Sequence, residues 1–145
     1  MYKNIVAAVD FDNLSIRIME KAVKMAKENN AKLWIVHVSK IVIIEPTYDV
    51  GISSVIVPET GEQFEKKFEE LMTYAKKNGV TEVYSRVYES TNVASSIVNE
   101  TAEEIDYDLV ICGSNNRHGL LEMFLGSVSS KLAGEIKTDI YIVKK

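Results

Sequence analysis

The sequence predicts an α/β domain built on a five-stranded, mostly parallel sheet with helices on both faces. Three observations carry this. Strand-length apolar runs alternate with helical patterns in the order βαβ…αβαβαβ, and that alternation is the mark of parallel strands joined by crossover helices. The run DLVIC (108–112) is apolar almost throughout, as a strand covered on both faces must be. The 145 residues, 46% of them apolar, suffice for one domain with a real core. Neither a domain boundary nor an internal repeat is visible, so residues 1–145 are expected to form a single domain.

Residues 3–9 (KNIVAAV) form the first strand, closed by Asp10. A helix is expected over 15–29, because Ile18, Met19, Ala22, Val23 and Ala26 recur at helical spacing with charged residues between them. Ser15 is its expected N-cap. The second strand is AKLWIVHV (31–38). A second helix over about 60–78 turns Phe64, Phe68, Leu71, Met72 and Ala75 to one side, and Gly79 fits its C-terminal stop. In VTEVYSRVYE, Val83, Ser85 and Val87 alternate with Tyr84, Arg86 and Tyr88. A period of two suggests a strand with one face less covered, as at a sheet edge. A third helix is expected over about 92–105, capped by Thr91 or Asn92. After DLVIC, a fourth helix begins near Ser127 and ends near Gly134, and DIYIV (139–143) is the last strand. Residues 41–61 break the rhythm. They hold Pro46, Gly51, Pro58 and Gly61, show no helical pattern, and are more apolar than a plain loop. A segment of this length is often functional. It reads as a surface excursion, a lid over a pocket or a contact with a second subunit.

Composition narrows the function. The net charge is −4 and no long Lys/Arg run occurs, which argues against non-specific nucleic-acid binding. No apolar run has membrane-spanning length, and the start MYKNIVAAVD lacks the pattern of a signal peptide. Cys112 is the single cysteine and sits in an apolar run, where a buried, inert thiol is expected. The expected location is cytoplasmic, without membrane or nucleic-acid partners.

In an open parallel sheet, ligands bind beyond the carboxyl ends of the strands, where strand order reverses. Asp10 and Asp12 follow the first strand, Val38 and Ser39 end the second, and Gly113 and Ser114 follow DLVIC. Gly126, Ser127 and Ser129 stand at the start of the fourth helix. Helix N-termini present unpaired N–H groups and partial positive charge, so they attract phosphate. One reading of these residues is an anion cradle. The other is structural: Gly113 makes a tight turn and Ser127 caps a helix. Short glycine motifs alone do not separate the two.

AAVDFDNLS, WIVHV and DLVICGSNN…FLGSVSSKL, in this order, resemble the universal stress protein family over nearly the whole chain, least in 41–61. The resemblance implies strand order 3-2-1-4-5. Many members bind ATP through Gly, two residues, Gly, nine residues, Gly, then Ser or Thr. Gly113 fills the first place here, Asn116 stands where the second glycine would be, and Gly126 and Ser127 complete the pattern after nine residues (117–125). By the same resemblance Asp10 lies near the nucleotide and Val38 beside adenine; Val128 and Ser129, which follow Ser127 at the helix start, are counted among the expected cofactor-binding residues. Asn is the non-glycine residue that most readily adopts positive φ. The turn can therefore survive at Asn116, while its side chain either crowds a phosphate or donates to it. Some members lack these glycines and do not bind ATP. The implied function is adenine-nucleotide binding, ATP first and with magnesium, in a stress-response or regulatory role. Any hydrolysis is expected to be slow, because no general base or arginine finger stands out. The alternative is a dimeric interaction module that binds no nucleotide. In either case the resemblance suggests a homodimer through the edge strand Asp139–Val143.

Other constellations carry less. The pair Asp10 and Asp12 resembles that of receiver domains, but RVYEST supplies no phospho-acceptor Asp after the third strand. His37 reads as structural; His118 beside Arg117 could reach a phosphate with it, but an exposed loop pair is the commoner case. Two distant histidines and one cysteine do not make a metal site, and no catalytic triad can be assembled.

Overall fold

A computed structural model describes residues 1–44, 54–56, 61–114 and 127–144. In chain order the elements are β1 (Asn4–Ala8), α1 (Asn13–Asn29), β2 (Lys32–Lys40), β3 (Val42–Ile44), β4 (Ser54–Ile56), α2 (Gly61–Lys77) and β5 (Val83–Ser90). There follow α3 (Val93–Ser96), a π-helical stretch (Ile97–Thr101), α4 (Ala102–Ile105), β6 (Leu109–Gly113), α5 (Ser127–Glu135) and β7 (Asp139–Val143). Five strands form one sheet in the order β5-β2-β1-β6-β7, every neighbouring pair parallel. Counted among themselves, these strands run 3-2-1-4-5, as expected.

Alternation along the central strands divides the core into two layers. Ile5 and Ala7 of β1, Leu33 and Ile35 of β2, and Leu109 and Ile111 of β6 pack against α1 and α2. Val6, Val36, Val38, Val110 and Cys112 face the other way, against Ala94, Ile97, Ile105 and Leu132 from α3, the π-helical stretch, α4 and α5. Both faces of β1 and β6 are therefore buried, which is why their sequences are apolar almost without interruption. At the edge, Arg86 and Val87 of β5 are exposed, in keeping with that strand's mixed composition.

The helix ends show where local chemistry departs from the sequence-based expectations. Helix α1 starts two residues earlier than expected, and its N-cap is Asp12 rather than Ser15. The Asp12 carboxylate accepts from the Ser15 backbone N–H at 3.1 Å and from its hydroxyl at 3.2 Å. Ser15 thus lies within the first turn, as the group being capped. Asn92 caps α3 as expected, accepting from Ser95 N–H at 3.0 Å. The third helical segment is not uniform. Its centre widens to a π-helix, and there the Ile97 carbonyl accepts the Tyr107 hydroxyl at 2.8 Å. Gly79 ends the α2 region at φ +99°, a conformation costly to any residue with a Cβ.

In the 41–61 segment, β3 and β4 pair antiparallel, Val42 opposite Ile56 and Ile44 opposite Ser54. A strand pair accounts for some of the apolar content that set this segment apart. The rest of it, with the expectation of a lid or subunit contact, lies outside the described residues.

Candidate functional site

The chain steps from β1 sideways to β2 and later returns to place β6 on the opposite side of β1. Strand order thus reverses between β1 and β6, and the crevice beyond their carboxyl ends is where such sheets bind ligands. Ala7 pairs with Ile35 and with Ile111. Two residues further along, Val9, His37 and Gly113 stand at one level, where β1 and β6 end while β2 runs on to Lys40. Asp10 and Val38 follow directly, and α5 opens at Ser127.

Each expected site residue can be placed in this frame. The Asp10 carboxylate is 46% exposed, and its Oδ1 lies 4.0 Å from His37 Nδ1. Val38 is buried in the core layer that also holds Ala94, Ile97, Ile105 and Leu132. Val128 is 36% exposed in the first turn of α5, whereas the neighbouring Ser129 is buried. Asn116 and Gly126 lie outside the described residues, as do Arg117 and His118. Asp12 serves as the α1 cap, which gives the acidic pair two different roles.

Gly113 is neither a turn residue nor beyond the strand. It is the last residue of β6, paired with Val143. A Cβ built on it would lie 2.4 Å from Leu14 Cδ2 and 3.2 Å from Ile18 Cδ1. Its missing side chain therefore lets α1 approach the sheet, and packing alone accounts for glycine at this position. Ser114 continues the ladder, its N–H donating to the Val143 carbonyl at 3.0 Å.

Two residues that sequence reasoning did not assign to the site shape its β1 side. Phe11 has φ +59°, unusual for a bulky side chain. Its ring packs against His37, Phe64 and Phe68 at centroid distances of 4.9, 5.7 and 5.1 Å. His37 is buried, with Nδ1 2.7 Å from the Val9 carbonyl oxygen. His37 lies three residues before the end of β2, and only the folded sheet brings it beside Val9. Nothing local in DFD announced a left-handed phenylalanine.

Cys112 is buried, and burial pushes its thiol pKa up to about 11. That thiol is protonated and inert near neutrality. Among the described residues no group of three His, Cys, Asp or Glu is placed to hold a metal ion, and no helix is long and apolar enough to cross a membrane.

Comparison with known proteins agrees with this architecture. The universal stress protein YxiE of Bacillus subtilis (strain 168) is 28% identical, over 99% of this chain and all of its own length. The universal stress protein MJ0531 of Methanocaldococcus jannaschii is 27% identical, over all of this chain and 84% of its own. Among solved structures, UspA from Lactobacillus plantarum superposes with a TM-score of 0.81 at 13% identity, covering 99% of this chain and 98% of that one. A universal stress protein solved in complex with cAMP superposes with a TM-score of 0.69 at 25% identity, covering 98% of this chain and 96% of that one. The model of the universal stress protein family matches residues 1–144. With the 3-2-1-4-5 sheet and its crevice between β1 and β6, that match over almost the full length means that the chain belongs to the universal stress protein family.

Proposed function

We propose that this chain binds an adenine nucleotide, ATP first, in the crevice between the carboxyl ends of β1 and β6, in a stress-response or regulatory role. One observation carries the proposal. The strand β6 ends where strand order reverses, and the next described element, α5, opens at Ser127, directly after Gly126 in the sequence. A nine-residue helix offers its first N–H groups and its positive end to phosphate at that place. The partly exposed Asp10 carboxylate faces solvent from the β1 side. The cAMP complex of a related family member supports an adenine nucleotide as the ligand class. Magnesium would arrive with the triphosphate, held to the protein through water by Asp10.

The test is to identify by mass any nucleotide that co-purifies, then to titrate ATP with magnesium into the parent and Gly126→Val by calorimetry. A β-branched side chain at 126 would stand where the backbone must approach the phosphates. The expected result is binding by the parent and none by the variant, with unchanged far-UV dichroism. Equal binding by both would remove the cradle from this place.

A homodimer, expected both with nucleotide binding and in the second reading of an interaction module without it, is favoured by the other end of the sheet. Among the described residues β7 has a strand on one side only, and Tyr141 is 38% exposed on it. A short apolar strand with an open edge is a template for pairing, so Asp139–Val143 would pair with the same strand of a second copy. Light scattering at micromolar concentration should give the mass of a dimer, and a monomeric mass would reject it.

A further inference from the structure

The turn that joins β1 to α1 is held by contacts at Val9, Phe11 and Asp12. Val9 donates its N–H to the Val36 carbonyl at 2.9 Å. Phe11 is kept in a left-handed conformation while its ring is packed among His37, Phe64 and Phe68. Asp12 is committed to the helix cap. Asp10 is carried between these anchors.

His37 ties the anchors together. Its Nδ1 lies 2.7 Å from the Val9 carbonyl oxygen. A carbonyl oxygen can only accept, so Nδ1 must carry the proton, and in the neutral ring Nε2 is the acceptor. The same ring stands 4.7 Å from Phe64 and 4.9 Å from Phe11, so its position is fixed by packing as well as by the hydrogen bond. An aliphatic side chain could fill this space, but it could not donate to Val9.

We propose that His37 is a positioning residue for the nucleotide site: its Nδ1–H bond to Val9 sets the Val9–Asp12 turn and thereby where the Asp10 carboxylate stands. The binding part of this proposal rests on the nucleotide reading above, while the state of the turn can be read without any ligand. Asparagine is the informative replacement. Its amide nitrogen, like Nδ1 of histidine, is bonded to Cγ, so it can donate from nearly the same point. Leucine fills space and donates nothing.

Three measurements test this. In the nucleotide-free parent at about pH 8, where an imidazole is ordinarily neutral, nitrogen-15 spectra of the ring should show the Nδ1–H tautomer for His37. The Nε2–H tautomer would overturn the proposal. The backbone amide resonances of Asp10, Phe11 and Asp12 should move in His37→Leu and stay near the parent values in His37→Asn. Finally, ATP with magnesium should bind His37→Leu about tenfold more weakly than the parent and His37→Asn within about threefold, the scale of one hydrogen bond. Parent-like affinity in a folded His37→Leu, or equal weakening in both variants, would refute the positioning role. If the parent binds no adenine nucleotide, the nucleotide reading fails with the binding part, and the tautomer and turn resonances decide whether His37 sets the turn. If His37→Leu does not fold, the tautomer and His37→Asn carry the same decision.

Discussion

Gly113→Ala separates a glycine kept for packing from one kept for phosphate. The added Cβ would lie 2.4 Å from Leu14 Cδ2, 3.1 Å from Leu14 Cγ and 3.2 Å from Ile18 Cδ1. Carbon atoms rest comfortably at about 3.5–4.0 Å, so the Leu14 methyl must retreat by about 1 Å or more. Turning that methyl alone is not enough, because Cγ is also too near. Leu14 is only 7% exposed and Ile18 is buried beside it, so the displaced atoms must push into the core. Overpacking of this kind costs about 1–3 kcal/mol, and contact with two side chains favours the upper half of that range. In a domain of this size each kcal/mol lowers Tm by roughly 2–4 °C, which predicts a fall of about 4–12 °C. Leu14→Ala alone should cost about 2–5 kcal/mol through the cavity it leaves. In the double variant the offending atoms are gone, so Gly113→Ala should then cost almost nothing, a coupling of about 2 kcal/mol. Urea unfolding of all four proteins measures it. Strict additivity, or a Gly113→Ala protein as stable as the parent, would refute the packing account. Loss of ATP binding at unchanged stability would assign the glycine to the ligand instead.

Asp12→Ala should destabilise the protein by about 0.5–2 kcal/mol in urea unfolding, the usual value of an N-cap, and a smaller loss than Ser15→Ala would return the capping role to Ser15. The folded Cys112 thiol titrates at about 11 against an ordinary 9.0, because burial disfavours its thiolate. Its contribution to stability is therefore complete below about pH 9 and lost as pH rises toward about 11. The fall in unfolding free energy over that window should be shallower in Cys112→Ala than in the parent. Tyr107, raised by burial from 10.0 to about 12, adds a slope of the same sign at higher pH. Asn116→Gly should tighten ATP binding by up to about tenfold if the Asn side chain crowds the phosphates, and weaker binding in the variant would show that the amide donates to them.

The fold was legible because its main signals are cooperative. The continuous apolar character of β6 follows from burial on both faces, and the mixed composition of β5 goes with its place at the sheet edge, where Arg86 and Val87 on opposite faces are both exposed. Helical spacing in 15–29 found the buried face of α1, but its start depended on one hydrogen bond. Both Asp12 and Ser15 are good cap residues by type, and only the geometry shows which one accepts. The short pairing of β3 with β4 was hidden because a three-residue strand carries too few alternations to be distinguished from an apolar loop. At the candidate site, glycine spacing and the acidic residue after β1 pointed to the carboxyl edge. The contact of α1 with Gly113 was not legible, because it joins residues 99 positions apart whose proximity only the folded sheet creates.

That contact changes how the glycine motif should be weighed. In this chain glycine at 113 would be needed even without nucleotide binding, since Leu14 and Ile18 occupy the space a side chain would take. Retention of Gly113 therefore says little about phosphate. In the same way Asp12 would be retained as a helix cap, and Val38 as part of a buried core layer. Asp10 differs: its carboxylate is nearly half exposed, on a turn built with a left-handed phenylalanine and a buried histidine beneath it. Left-handed backbone at a bulky residue persists only where the surroundings impose it, and such strain collects at ligand sites. The case for a nucleotide thus rests less on the first glycine than on Asp10 and on what stands at 116 and 126. Gly126→Val and Asn116→Gly are for that reason the substitutions with most power to decide it.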